Sequence, residues 1–217
     1  KAASRGALIL VRHGQANSHA TNETDSDRHS DRGHRQAALL GAWFEDHGYA
    51  FDHVWSGTMR RHRETVAGLG LRADEDARLN ELDYYRLTDD LHQTTGEPYP
   101  TDATINDHLP KVFAAWAAAE INGTETYANF ETRVAELLSE ASVPGRQLLA
   151  VTSGGVIAMI LRHVLDLDIL RMGQVMLPIW NTSVHRLHVR GERTTMAGYN
   201  AIPHLDRPEL SDMRTYY

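Results

Sequence analysis

Ala7, Leu8, Ile9, Leu10 and Val11 follow one another without a polar break, and Arg12, His13 and Gly14 come directly after them. Side chains of a strand point alternately to opposite faces, so an unbroken aliphatic run is stable only where both faces are covered. This requirement selects a sheet buried between two layers. The pattern recurs: "FDHVWS" reads as a second strand leading into a helix over "TMRRHRETVAGLG", and "QLLAVT" as a third leading into "SGGVIAMILRHVL". Repeated strand-to-helix steps predict an α/β fold, a three-layer sandwich with a mostly parallel central sheet flanked by helices.

Between the first two strands, "NSHATNETDSDRHSDRG" is a loop by composition. Ala37, Leu40, Trp43 and Phe44 then recur at helical spacing, with Gly48 as a stop signal. Two helical stretches, 103–120 and 127–142, fill the middle of the chain. "SVHRLHVR" and "RTTMAGYN", joined by Gly191 and Glu192, read as an antiparallel hairpin at a sheet edge. No repeat or linker divides the chain, so the expectation is a single domain over 1–217 with a helical cap-like insertion at about 82–145.

The 217 residues, 41% hydrophobic, suffice for one substantial core. Twenty-two Lys and Arg against 29 Asp and Glu give a formal charge of -7, and no basic stripe is present. Nucleic acid is therefore not expected as a partner. The absence of cysteine excludes disulfides, thiolate metal sites and cysteine nucleophiles. No apolar run approaches the roughly 18 residues of a membrane span, and the first residues meet charge too soon for a signal sequence. A cytoplasmic location without membrane association is the expectation. Oligomeric state carries no sequence signal, and a homodimer stays open.

In a parallel α/β sheet, sites form outside the carboxyl ends of strands. Three polar clusters fall there: "RHGQAN", "SGTMRRHRET" and "TSGG". The planar donor fork of arginine suits phosphate oxygens, and Arg12 and Arg61 are the candidates for a converging pair. Positive neighbours keep an adjacent imidazole neutral near pH 7, and neutral His13 is a competent nucleophile. Gly14 would allow backbone to approach a ligand closely, and Gly154 and Gly155 open a helix whose free amides favour an anion. The three clusters together point to phosphate.

"LVRHGQA", "SDRGHRQAALLGAWF", "WSGTMRRHRETV", "RLNELDYY", "FETRVAELL", "WNTSVHRL" and "NAIPHL" together resemble the histidine phosphatase (phosphoglycerate mutase-like) superfamily over nearly the whole chain. The resemblance implies that His13 is the phosphorylated histidine and Arg12 its phosphate-binding neighbour. It places the second phosphate arginine at Arg61, with Arg60 and Arg63 as near alternatives, and the general acid at Glu81. Gln15 and Asn17 join Gly14, Ser153 and Gly154 in the implied phosphate-binding set. One departure stands out: "TSGG" puts Ser153 where the family carries a second active-site histidine. A serine hydroxyl donates one hydrogen bond but carries no charge, and Ser153→His is expected to raise the rate. His185 and His204 are the residues considered for filling the gap.

The implied activity is phosphomonoester hydrolysis through a phosphohistidine, with neither metal nor organic cofactor. The alternatives are a mutase and a phosphate-binding regulatory protein. Competing local readings are weaker. His62 between Arg61 and Arg63 makes a poor metal shell, "DSD" at 25–27 lacks the preceding strand of an aspartyl phosphatase, and "VTSGG" is a poor match to a serine-nucleophile elbow. Selectivity would lie in the cap, with Tyr84, Tyr85, Arg86 and Tyr99 as its marked residues.

Overall fold

The computed structural model describes residues 6–17 and 27–216. In chain order these form β1 (Gly6–Arg12), α1 (Asp31–Asp46), β2 (His53–Ser56), α2 (Arg60–Gly68) and β3 (Asp74–Glu75). A 3-10 turn at Ala77–Leu79 leads to α3 (Tyr84–Thr95), α4 (Ile105–Ala117) and α5 (Tyr127–Ala141). Next come β4 (Gln147–Thr152), α6 (Gly154–Leu165), α7 (Ile169–Met176), β5 (Val184–Arg190) and β6 (Arg193–Ala201). A second 3-10 segment, Pro208–Met213, follows.

The six strands lie in the order β3-β2-β4-β1-β5-β6. β1 and β2 both pair parallel with β4, and β3 pairs parallel with β2. β5 runs antiparallel to β1, and the β5–β6 hairpin closes the far edge as expected. The sheet is therefore mixed but mostly parallel, with helices on both faces. The aliphatic run of β1 shows why. Leu8 and Leu10 enter a large cluster with Phe113, Trp116, Phe130 and Ile157 on one side. Ile9 and Val11 enter a smaller one with Leu40, Phe44 and Val66 on the other. Each face of this one strand thus belongs to a different core.

Helix ends follow local chemistry. Side chains of Ser30, Asp83, Thr126 and Asp168 accept from backbone amides of the first turns of α1, α3, α5 and α7. α3 was not anticipated as a separate helix. It is fixed by the Asp83 cap, the buried pair Leu87 and Leu91, and Gly96, whose φ of 77° ends it in the left-handed region. Among the described residues, no helix is long and apolar enough to cross a membrane.

Register sets the position of the site. Arg12 at the end of β1 pairs with Thr152 of β4, and Ser56 of β2 pairs with Val151. The carboxyl ends of three adjacent parallel strands therefore stop at one edge. Their following residues, His13, the start of α2, and Ser153 with α6, meet there.

Candidate active site

His13 is mounted rigidly from both sides. Its amide donates to the Thr152 carbonyl at 2.9 Å, and its own carbonyl accepts from the Thr182 amide at 3.3 Å and Asn181 Nδ2 at 3.3 Å. Thr182 holds that place with φ of 60°, a left-handed conformation costly for a β-branched residue. The ring is 7% exposed, and its Nδ1 lies 2.7 Å from the Gly14 carbonyl oxygen. A carbonyl can only accept, so Nδ1 carries the proton and Nε2 keeps its lone pair. Burial first, then Arg61 and Arg12, push the imidazole well below its usual range. The ring is therefore neutral at pH 7, as a nucleophile requires.

Three arginines compete for the second phosphate position, and burial separates them. Arg60 is exposed on Glu64, and Arg63 is exposed beside Glu75. Arg61 is 5% exposed and close enough to perturb His13, Arg12 and Glu81. Its Nη1 is 3.3 Å from the Asp27 carboxylate, which also accepts from the amides of Arg60 and Arg61. Asp27 thus caps α2 from a distant segment, where Met59 at the cap position offers no side-chain acceptor. The rest of the "DSD" triplet, Asp25 and Ser26, lies outside the described residues. Arg12 donates from Nη1 to the Ile179 carbonyl, while its buried Nε finds no partner among the described residues. Burial, reinforced by Arg61 and opposed by Glu81, lowers Arg12 to about 10, so it stays charged at pH 7.

Glu81 reaches the same end of the sheet from the loop after the Ala77–Leu79 turn. Its Oε2 accepts from the Gly155 amide at 3.0 Å and its Oε1 from the Leu82 amide at 3.1 Å. A Cβ at position 155 would lie 2.3 Å from Oε1, so the second glycine of "SGG" makes room for the carboxyl group. Burial raises the acid above its ordinary range, outweighing the two amides and both arginines. A raised carboxyl and a depressed imidazole that share Arg12 and Arg61 as neighbours show the division of labour that acid-base and nucleophilic roles need.

Other expectations change. The protein itself requires a glycine at position 14, because a Cβ there would sit 2.6 Å from the Gly33 carbonyl oxygen of α1. Its amide donates to Thr65 Oγ1 at 3.0 Å, so it is engaged in holding the loop and is not an open phosphate donor. The Gln15 amide is likewise committed to Gln36 Oε1 at 2.9 Å, and its Oε1 accepts from Ser30. The Asn17 amide donates to the Arg28 carbonyl. Gly154, in contrast, opens α6, whose first amides lack intrahelical acceptors, and it lines the cavity together with Arg12 and Glu81.

Sequence reasoning missed the role of His62. Its ring is fully buried, 5.8 Å from that of His13 between centroids, with Nε2 2.7 Å from Ser153 Oγ. His185 and His204 are engaged elsewhere, on Ser183 and Thr182. The signal was available: a histidine one residue after the buried arginine, on the first turn of a helix that meets the site. Elsewhere, His29, His34 and Glu64 bring potential metal-ligand atoms within 4.8 Å of one another. There the Glu64 carboxylate is already paired with both His34 and Arg60.

Arg12, Glu81 and Gly154 line a cavity of about 630 Å³. Its walls also carry Tyr84, Ile105, Leu109, Met176 and Leu177, with Asp102 and Asn106 as polar members. Tyr84 is the one marked cap residue in this wall. Tyr85 is exposed, Arg86 pairs with Asp90, and Tyr99 donates to Asp89, so these three act at the surface.

The sequence profile of the histidine phosphatase superfamily (branch 1) matches residues 8–202. Solved structures agree in fold. A phosphoglycerate mutase from Bacillus anthracis is similar with a TM-score of 0.68 at 17% identity, covering 93% of this chain and 96% of its own. A phosphoserine phosphatase variant from Entamoeba histolytica, in complex with phosphoserine, gives 0.66 at 15% identity over 92% and 99%. A mycobacterial glucosyl-3-phosphoglycerate phosphatase gives 0.63 at 22% identity over 90% and 98%.

Proposed function

Because the chain belongs to the histidine phosphatase superfamily, we propose that it hydrolyses phosphomonoesters in two steps through a phosphohistidine on His13. The observation that carries this reading is the meeting of an Nδ1-protonated His13 with Arg12, Arg61 and a raised Glu81 at one end of the sheet, beside a cavity that Arg12 and Glu81 line. In the first step the Nε2 lone pair of His13 attacks phosphorus, and the bond from phosphorus to the ester oxygen breaks. Glu81 gives that oxygen its proton, and the alcohol departs. In the second step Glu81, now ionised, takes a proton from water, and the resulting P–O bond replaces the P–N bond. Arg12, Arg61, Ser153 and the Gly154 amide hold the equatorial oxygens. Neither step calls on a metal, so treatment with a chelator leaves the rate unchanged.

The leaving group we assign to the cavity is uncharged and apolar. Among the described lining residues Arg12 is the only cation, and it is committed to the phosphoryl group, while Asp102 would repel a carboxylate. Ile105, Leu109, Met176 and Leu177 offer instead an apolar surface suited to an alkyl or aryl alcohol. Tyr84, Asp102, Ile105, Asn106 and Leu109 all come from the segment 82–145, which supports its role as a selectivity-setting cap. The test compares 1-naphthyl and p-nitrophenyl phosphate with 3-phosphoglycerate and phosphoserine, using wild type and His13→Ala. The expected result is a kcat/KM at least about tenfold higher for the aryl esters, equivalent to about 1.4 kcal/mol, and loss of turnover in His13→Ala. A preference for the carboxylated esters would overturn the leaving-group assignment. An isomerised phosphoester would select a mutase, and binding without phosphate release a regulatory protein.

A further inference from the structure

Ser153 stands at the N-cap of α6 but makes no side-chain cap bond, unlike Ser30, Asp83, Thr126 and Asp168 at their helices. Its hydroxyl is turned instead to His62, with Oγ 2.7 Å from Nε2 and both residues fully buried. The second ring nitrogen of His62, Nδ1, is buried and has no partner among the described residues. It faces Gly57, where any Cβ would lie 2.1 Å from Nδ1. Gly57, His62 and Ser153 therefore fit one another as a set: the first leaves room, the second fills it, and the third receives the bond.

The unpartnered nitrogen decides the direction of that bond. A neutral imidazole has one N–H and one lone pair. If Nδ1 held the proton, a buried donor would be orphaned against Gly57. If Nε2 holds it, only a lone pair goes unmatched, and unpartnered acceptors are tolerated better than unpartnered N–H groups. Nε2–H thus donates to Ser153 Oγ. Having accepted there, the hydroxyl is left to donate its own hydrogen; Ser153 directly follows Thr152, whose carbonyl accepts from the His13 amide, and the His13 ring lies 5.8 Å from that of His62.

We propose that His62 is a positioning residue which, through Ser153, aims one hydroxyl hydrogen at the phosphoryl oxygens carried by His13. The proposal rests on the phosphohistidine reading for its catalytic consequence, but the direction of the bond does not depend on it. His62 thereby restores by orientation part of what Ser153 lacks in charge. It does not itself touch the substrate.

Two measurements test this. Long-range 15N–1H correlation of histidine-labelled protein, with His62 assigned by its absence in His62→Gln, reads the tautomer without any turnover. A protonated Nε2 and a bare Nδ1 are expected, and the opposite tautomer would overturn the proposal. Kinetics with an aryl phosphate then form a double-mutant cycle. His62→Leu is expected to lower kcat on the order of 10- to 100-fold with KM nearly unchanged, less than or similar to the loss of a direct donor. His62→Gln, whose amide can still donate to Ser153 Oγ, should stay within about threefold of wild type. In a Ser153→Ala background His62→Leu should add nothing further. An equal loss in both backgrounds, or a loss equally deep in His62→Gln, would show that His62 acts only by filling space. Absence of wild-type turnover would instead sink the phosphohistidine reading and leave the tautomer result standing.

Discussion

At residue scale the account rests on protons placed by hydrogen bonds and charge. The carbonyl of Gly14 holds the His13 proton on Nδ1, and burial lifts Glu81 above the ordinary carboxyl range. A raised acid is protonated below its folded pKa and useless as a donor above it. The rate with alkyl phosphates should therefore fall as pH rises through a value above 4.5, the ordinary carboxyl value. In Glu81→Gln kcat/KM, which reports the first step, should fall by roughly 100- to 10,000-fold with an alkyl phosphate, and much less with p-nitrophenyl phosphate, whose phenolate leaves without a proton. An equal loss of kcat/KM for the two esters would remove Glu81 from the acid role. At position 153 burial reverses the expected effect of a substitution. Sequence comparison anticipated a faster enzyme from Ser153→His, but His62 already stands 2.7 Å from the serine oxygen in a fully buried place. A second imidazole there overpacks the core at a cost of about 1–3 kcal/mol. Ser153→His is thus expected to melt lower and turn over more slowly, and His62→Ala/Ser153→His to recover part of both, as thermal melts and initial rates would show.

At the scale of elements, the site is an alignment of strand ends, and the glycines at those ends serve their neighbours. Gly155 is the test case, since a Cβ there would strike Glu81 Oε1 at 2.3 Å and Leu82 Cδ2 at 2.9 Å. Gly155→Ala should displace the carboxyl group and lower kcat/KM for alkyl phosphates on the order of 100-fold, the usual consequence of an ångström of misplacement. Thermal stability should move little by comparison, because alanine is the better helix former. Strand-to-helix alternation made β1, β2, β4, α1, α2 and α6 legible from residue order, β1 and β4 most plainly, because a strand covered on both faces announces itself by an unbroken apolar run. α3 was legible in retrospect from Asp83, Leu87, Leu91 and Gly96, but its run of polar residues masked the pair of leucines. The roles of Asp27 and His62 were not legible, since each depends on a partner that only the tertiary structure supplies: the amides of α2 for one, Ser153 for the other. The close approach of Gly14 to the backbone of α1 was not legible for the same reason.

At the scale of the whole molecule, the interior stores several neutral histidines. Burial holds His185 and His204 down to about 3 and His29 to about 4. In the unfolded chain these rings take up protons near 6.5, whereas the folded protein refuses them until far lower pH. Stability from this source is therefore complete above about pH 6.5 and is lost as pH falls from there toward the folded values, at about 1.4 kcal/mol per pH unit for each histidine. The urea midpoint should be clearly lower at pH 5 than at pH 7.5, and His204→Gln should narrow the difference; equal midpoints would mean the rings are not held neutral. The whole architecture nevertheless exists, on this account, to bring one lone pair to phosphorus. The most direct trial uses Glu81→Gln with p-nitrophenyl phosphate, where the first step proceeds and the second lacks its base, followed by quenching in alkali and peptide mapping. The expected product is an acid-labile phosphate on Nε2 of His13, accumulating in that variant and absent from His13→Ala. Steady p-nitrophenol release with no phosphate ever found on His13 would contradict it.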